Sequence, residues 1–110
     1  MTTDYPVNEA GLVKRIVAAI EREYPTAWIF KTHGGPMQRA GVPDLLISVG
    51  GRLVALEVKH RKPGESVERM NARVTPRQQA EIRRLGDSGA IVSVVWTVEQ
   101  ALGVTRSATT

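Results

Sequence analysis

A mixed α/β fold in the order α-β-β-β-α-β, a small mixed sheet flanked by helices, is predicted by three features of the 110-residue sequence. Apolar residues recur at helical spacing near the N-terminus. Two apolar runs meet at Gly50-Gly51, and Thr75-Pro76-Arg77-Gln78 opens a second helix ahead of the apolar run AIVSVVWT. The hairpin runs carry apolar residues on both faces, so helices must cover the sheet on each side.

The elements follow in order. Asn8 caps a helix from Glu9 to Tyr24, in which Leu12, Val13, Ile16, Val17 and Ile20 form one apolar face and Pro25 is the stop. AWIFK, from Ala27 to Lys31, is a first strand, and THGGPMQRAG after it is loop. Asp44–Val49 and Arg52–Lys59 are the hairpin strands. HRKPGESVERMNARV, His60 to Val74, has no sustained period and reads as a mobile loop with at most one helical turn. Thr75 as cap, Pro76 at the first helical position and Gln78 as capping-box partner start a helix that runs to Asp87. Ala90 to Thr97 is the fourth strand and Val98 to Leu102 a short helix. GVTRSATT reads as a frayed tail, which bounds a single domain at residues 1–103 and leaves 104–110 outside it. Trp28 and Trp96, on strands, are expected in the core.

Composition narrows the function. No cysteine is present, which excludes disulfides, thiolate metal sites and a cysteine nucleophile and fits a reducing cytoplasm. No apolar run approaches the roughly 20 residues of a membrane span, and MTTDYPVNEAG is not a secretory leader, so a soluble intracellular protein is expected. The net charge is +4 and the pI about 10.0. Between Lys59 and Arg84 eight Lys or Arg face three Glu. That excess suits a polyanionic partner such as nucleic acid, or simply a solvated loop and helix face.

The hairpin carries the chemistry. With Gly50-Gly51 as a two-residue turn, counting outward sets Val49 against Arg52 and, five steps on, Asp44 against Glu57. Opposed residues share a face with Cβ atoms about 4.5–5.5 Å apart. Lys59 joins that face roughly 7 Å along the strand. Two carboxylates this close repel, so either one stays protonated or a cation lies between them. Mg²⁺ suits such a pair, because it takes one or two protein carboxylates and keeps several waters. An ion there would polarise a phosphodiester. The alternative is a strand that ends in solvated charges, with Lys59 neutralising Glu57. The rigid Pro43 placed just before Asp44 weighs against that alternative.

Pro43-Asp44, a hairpin, then Glu57-Val58-Lys59 resembles the PD-(D/E)xK nuclease superfamily, and within it the compact VRR-NUC (virus-type replication-repair nuclease) group. The resemblance extends to Glu9 opening the early helix, the loop KTHGGPMQRAG, Gly-Arg at the turn, Thr75 to Gln78 and the AIVSVVWT strand. The charged segment from Arg61 to Val74 is longer than the family pattern. The resemblance implies a restriction-endonuclease-like core and a Mg²⁺- or Mn²⁺-dependent DNA endonuclease. Asp44, Glu57 and the Val58 carbonyl would be metal ligands and Lys59 the catalytic lysine. Glu9 would be the helix acid that approaches the metal site through its waters or a second ion, or an acid placed to suit the helix dipole. Gln78 would face the site, or serve only as Thr75's capping partner. Lys31, His33, Arg61, Lys62, Arg69 and Arg73 would meet DNA; a solvated loop histidine is the alternative for His33. His60 should project from the opposite sheet face. Stand-alone members of this kind are mostly phage proteins that cut branched DNA in the bacterial host, which suggests a homodimer resolving four-way junctions. A non-catalytic basic nucleic-acid-binding domain with a relic acid cluster is the competing function.

Overall fold

The computed structural model describes residues 6, 8–32 and 39–110, so His33 lies outside the described residues. Helix α1 (Glu9–Glu23) starts where the Asn8 side chain accepts the Gly11 amide at 2.9 Å and buries Leu12, Ile16 and Ile20. Strands β1 (Trp28–Lys31), β2 (Leu45–Val49) and β3 (Arg52–Val58) form an antiparallel meander. The β2–β3 turn uses positive φ at both Gly50 (57°) and Gly51 (78°), a conformation that other residues adopt only at a cost. Val49 therefore pairs with Arg52 and Leu45 with Leu56, the register obtained by counting from the two glycines.

Strand β4 (Ile91–Val95) lies parallel to β3, a pairing that requires a crossover, and the chain supplies one through α2 (Val67–Asn71) and α3 (Pro76–Asp87). The sheet order is β1-β2-β3-β4. Leu45, Ile47 and Val49 of β2 and Val54, Leu56 and Val58 of β3 face α1 and the last helix, α4 (Val98–Ser107), in one core with Leu12, Ile16, Ile20, Val95, Ala101 and Ala108. By alternation, Asp44, Leu46 and Ser48, and Ala55, Glu57 and Lys59, belong to the other face. There α3 covers only the β4 side, across a cleft lined by Val74, Gln79, Ile82, Val94 and Trp96. Among the described residues no helix is long and apolar enough to cross a membrane.

Three expectations are corrected. The tail is not frayed: α4 runs to Ser107, Thr105 and Ala108 are buried, and Arg106 holds Glu23 of α1 through bonds of 2.6 and 2.8 Å. The apolar spacing of Val98, Ala101 and Leu102 continues through Thr105, whose buried hydroxyl is satisfied by the Ala101 carbonyl at 2.8 Å. The 61–74 segment is ordered by its own contacts, with Ser66 capping α2 and Met70 fully buried. Trp28 is not in the core. It stands 59% exposed on the edge strand β1, stacked on Phe30 with ring centroids 5.9 Å apart.

Candidate active site

Asp44 heads β2 and is held from both sides, by Thr32 after β1 and by Val58 of β3. The Thr32 hydroxyl donates to the Pro43 carbonyl and the Thr32 amide to the Asp44 carbonyl, each at 2.9 Å. Across the hairpin the Val58 amide donates to Asp44 Oδ2 at 2.7 Å. The approach to Pro43 lies against α3: Gly41 has φ 86°, and a Cβ there would lie 2.7 Å from the Arg77 carbonyl oxygen, so a side chain at this position would force the loop and helix apart.

One step beyond the Leu45–Leu56 pair the register sets Asp44 opposite Glu57. Glu57 is only 2% exposed; its Oε2 lies 3.3 Å from Lys59 Nζ, and Lys59 is itself 8% exposed. Glu57 Oε1 is buried without a hydrogen-bond partner among the described residues. Burial, reinforced by the Asp44 charge, pushes the Glu57 carboxyl up to about 7, against the pull of Lys59. Burial likewise raises Asp44, partly offset by the Val58 amide. Lys59 therefore balances only part of a buried and a half-buried acid, and a hard cation between them would relieve the rest.

Glu9, the first residue of α1, reaches this end of the sheet. Its Oε1 accepts from the His60 amide and from Arg73 Nη1, each at 3.2 Å, and its charge helps raise both Asp44 and Glu57. The donor set fits a Mg²⁺-type ion. Asp44 and Glu57 are two carboxylates on one face, one with an unsatisfied buried oxygen. The Val58 carbonyl leaves its strand on the same side as the amide that meets Asp44. Among the described residues no group of three or more His, Asp or Glu side chains is arranged as a ligand shell, so an ion here would keep several waters.

No family model and no curated protein matches the sequence. Two solved structures share its architecture. A chain described as a VRR_NUC domain protein superimposes with a TM-score of 0.68 at 19% identity, covering 94% of this chain and 88% of its own. A chain described as a VRR_NUC domain gives 0.57 at 23% identity, covering 84% of this chain and 92% of its own. The chain has the VRR-NUC fold.

On this VRR-NUC frame the sequence-predicted residues divide. Asp44, Glu57, Lys59 and the Val58 backbone come together, with Glu9 beside them. Gln78 serves the capping box: its Oε1 accepts the Thr75 amide at 2.9 Å while Thr75 Oγ1 accepts the Gln78 amide at 3.1 Å. Lys31 pairs with the core-facing Leu45 and so projects from the opposite face to Asp44. His60 also leaves the site, its Nε2 donating to the Pro6 carbonyl at 2.9 Å. Lys62 and Arg69 are exposed in the segment after β3. Arg61 is exposed as well, though its Nε donates to the Glu65 carbonyl at 2.8 Å.

Arg73, expected to meet phosphate, is committed inside the chain. Besides Glu9 it bonds both Glu65 oxygens, at 2.9 and 3.1 Å, and the His60 carbonyl at 2.7 Å. Among the described residues these bonds take four of the five guanidinium N–H groups, so Arg73 keeps one donor for a phosphate. Glu65, held by Arg73 and by the Lys62 amide, drops to about 2. Sequence reasoning places Arg73 near the site as a DNA contact but does not find Glu65 or the Arg73–Glu9 bond, because Glu9 and Arg73 lie 64 residues apart and no local pattern joins them.

Proposed function

We propose that the protein is a metal-dependent endonuclease that hydrolyses DNA phosphodiester bonds with Mg²⁺ or Mn²⁺, acting in the cytoplasm as a homodimer on branched DNA such as four-way junctions. The observation that carries this reading is the Asp44–Glu57–Lys59 cluster: a half-buried and a buried carboxylate on one sheet face, the buried one with an oxygen that has no partner among the described residues, and a buried lysine 3.3 Å from Glu57. The VRR-NUC fold supports it. A buried cluster kept without use would retain the desolvation cost of two acids, which weighs against a relic in a plain binding domain.

Asp44 and Glu57 would hold the ion, joined by the Val58 carbonyl. When bound, the ion supplies Lewis acidity to the phosphate and activates water for attack. Lys59 holds its ammonium at the same face, where it offsets the negative charge that builds on the phosphorus oxygens in the transition state. Asp44, pinned by the Val58 amide, needs little rearrangement to receive the ion. The basic balance of the chain favours approach of a polyanion, and Arg61, Lys62 and Arg69 lie where flanking phosphates would pass. A chain of 110 residues has little surface beyond the site for reading bases, so recognition by DNA shape is favoured. The homodimer is supported by Trp28, Phe30 and Leu53, which expose an apolar patch at the edge-strand side of the sheet that a second copy would cover.

The test is incubation of the purified protein with labelled four-way junction, flap, linear duplex and single-stranded DNA, in Mg²⁺, Mn²⁺ or EDTA. The proposal expects cleavage with either metal, none in EDTA, and the highest rate on the junction. Equal tight binding to all substrates without cleavage would favour the binding domain.

A further inference from the structure

We propose that Arg73 is a positioning residue: it fixes the Glu9 carboxylate beside the Asp44–Glu57 pair and so strengthens metal binding there. This inference rests on the metal-dependent reading above.

The Arg73 guanidinium makes four hydrogen bonds to three parts of the chain. On one side it grips both oxygens of Glu65, within its own segment. Toward the end of β3 it bonds the His60 carbonyl at 2.7 Å, and toward α1 it bonds Glu9 Oε1 at 3.2 Å. A Glu9–Arg73 pair alone would carry little weight, because exposed ion pairs are weak and leave both side chains free to wander. Here the arginine is immobilised from its other side. The planar fork, already fixed by Glu65 and the His60 carbonyl, offers Glu9 a preset donor.

Glu9 has reason to need one. It is the first residue of α1 and its side chain is 42% exposed, so without a partner it would sample several rotamers. The His60 amide and Arg73 converge on the same oxygen, Oε1. Oε2 then has no hydrogen bond among the described residues, and the charge acts on both Asp44 and Glu57. A carboxylate held in this way can receive a water of a hydrated ion without the ordering cost that a free side chain would meet. Arg73 also ties the 61–74 segment to the site, because the same guanidinium bonds Glu65 within that segment and Glu9 of α1.

The test is a double-mutant cycle read by Mn²⁺ calorimetry without DNA, on the full chain and on Arg73→Lys, Glu9→Gln and the double variant. Arg73→Lys keeps the charge but loses the fork, and it is chosen over Arg73→Gln to preserve folding, which thermal melts will check. The proposal expects each single variant to weaken Mn²⁺ about tenfold. It expects the double variant to bind no more weakly than Glu9→Gln alone, because Arg73 acts through Glu9. Wild-type affinity in Arg73→Lys overturns it, as does an additive loss in the double variant. A wild-type chain that binds Mn²⁺ but shows additivity removes only the positioning role. A wild-type chain that binds no Mn²⁺ overturns the metal reading and this role with it.

Discussion

The Val58 amide donates to the Asp44 carboxylate at 2.7 Å across the hairpin, so the acid at the head of β2 is anchored to the strand that carries Glu57 and Lys59. Asp44 thus has a structural bond as well as a proposed ligand role, and two substitutions separate them. Asp44→Ala leaves the part-buried Val58 amide unsatisfied, at a cost of about 1–3 kcal/mol that relief of repulsion with Glu57 offsets only in part. Asp44→Asn keeps an acceptor and removes the charge. In urea denaturation with EDTA at pH 8, Asp44→Asn should therefore be more stable than Asp44→Ala. Both should lose Mn²⁺ affinity. Equal stability of the two would show that the bond to Val58 is of no consequence.

Burial and the Asp44 charge lift Glu57 from an ordinary 4.5 to about 7, and the sign of the consequence is fixed. Between these values the folded chain binds a proton that the unfolded chain has released. The contribution of Glu57 to stability without metal is therefore fullest below about 4.5 and falls as pH rises toward and through 7, by up to about 3 kcal/mol. Melting temperature in EDTA should decline from pH 5 to pH 8. With saturating Mn²⁺ the decline should shrink or reverse, because the ion binds the ionised carboxylates and displaces the proton. A melting temperature in EDTA that rises steadily over this range would contradict the buried-acid account.

Much of the site was legible because β-sheet register is arithmetic. Once Gly50-Gly51 is recognised as the turn, the positions of Asp44, Glu57 and Lys59 on one face follow by counting, and the structure has that register. The capping box at Thr75 and Gln78 was equally local and is present. What escaped depended on contacts distant in sequence. Trp28 reads as core by type, yet it lies on an edge strand that no helix covers on that face. The order of the 61–74 segment draws on the burial of Met70 and on Arg73, one of whose partners, Glu9, lies 64 residues away in sequence. The last helix was cut short because Gly103 and the polar run after it look like an ending, although Thr105 and Ala108 continue the inward spacing.

The C-terminal turn should matter for stability. Ending the chain after Gly103 removes buried Thr105 and Ala108 and the Arg106–Glu23 pair. The loss expected in urea denaturation is about 2–4 kcal/mol. A truncated chain as stable as the parent would restore the picture of a frayed tail.

The exposed patch of Trp28, Phe30 and Leu53 makes a separate prediction about assembly. In sedimentation analysis the parent protein should run as a dimer, and Trp28→Ala with Phe30→Ala should run as a monomer with Mn²⁺ affinity unchanged, since the hydrogen bond to Asp44 and the Glu57–Lys59 ion pair involve neither residue. A monomeric parent, or a double variant that remains dimeric, would place any interface elsewhere.

The most direct test of the central claim is the single-turnover cleavage rate of Lys59→Ala on a labelled four-way junction, at protein and Mn²⁺ concentrations where calorimetry and gel shifts show that both it and the parent are saturated. The predicted result is a loss of about 100-fold or more in rate with binding of metal and DNA retained, because Lys59 acts on the charge that develops in the transition state. Cleavage by Lys59→Ala at the parental rate, or cleavage by the parent that persists in EDTA, would contradict the account.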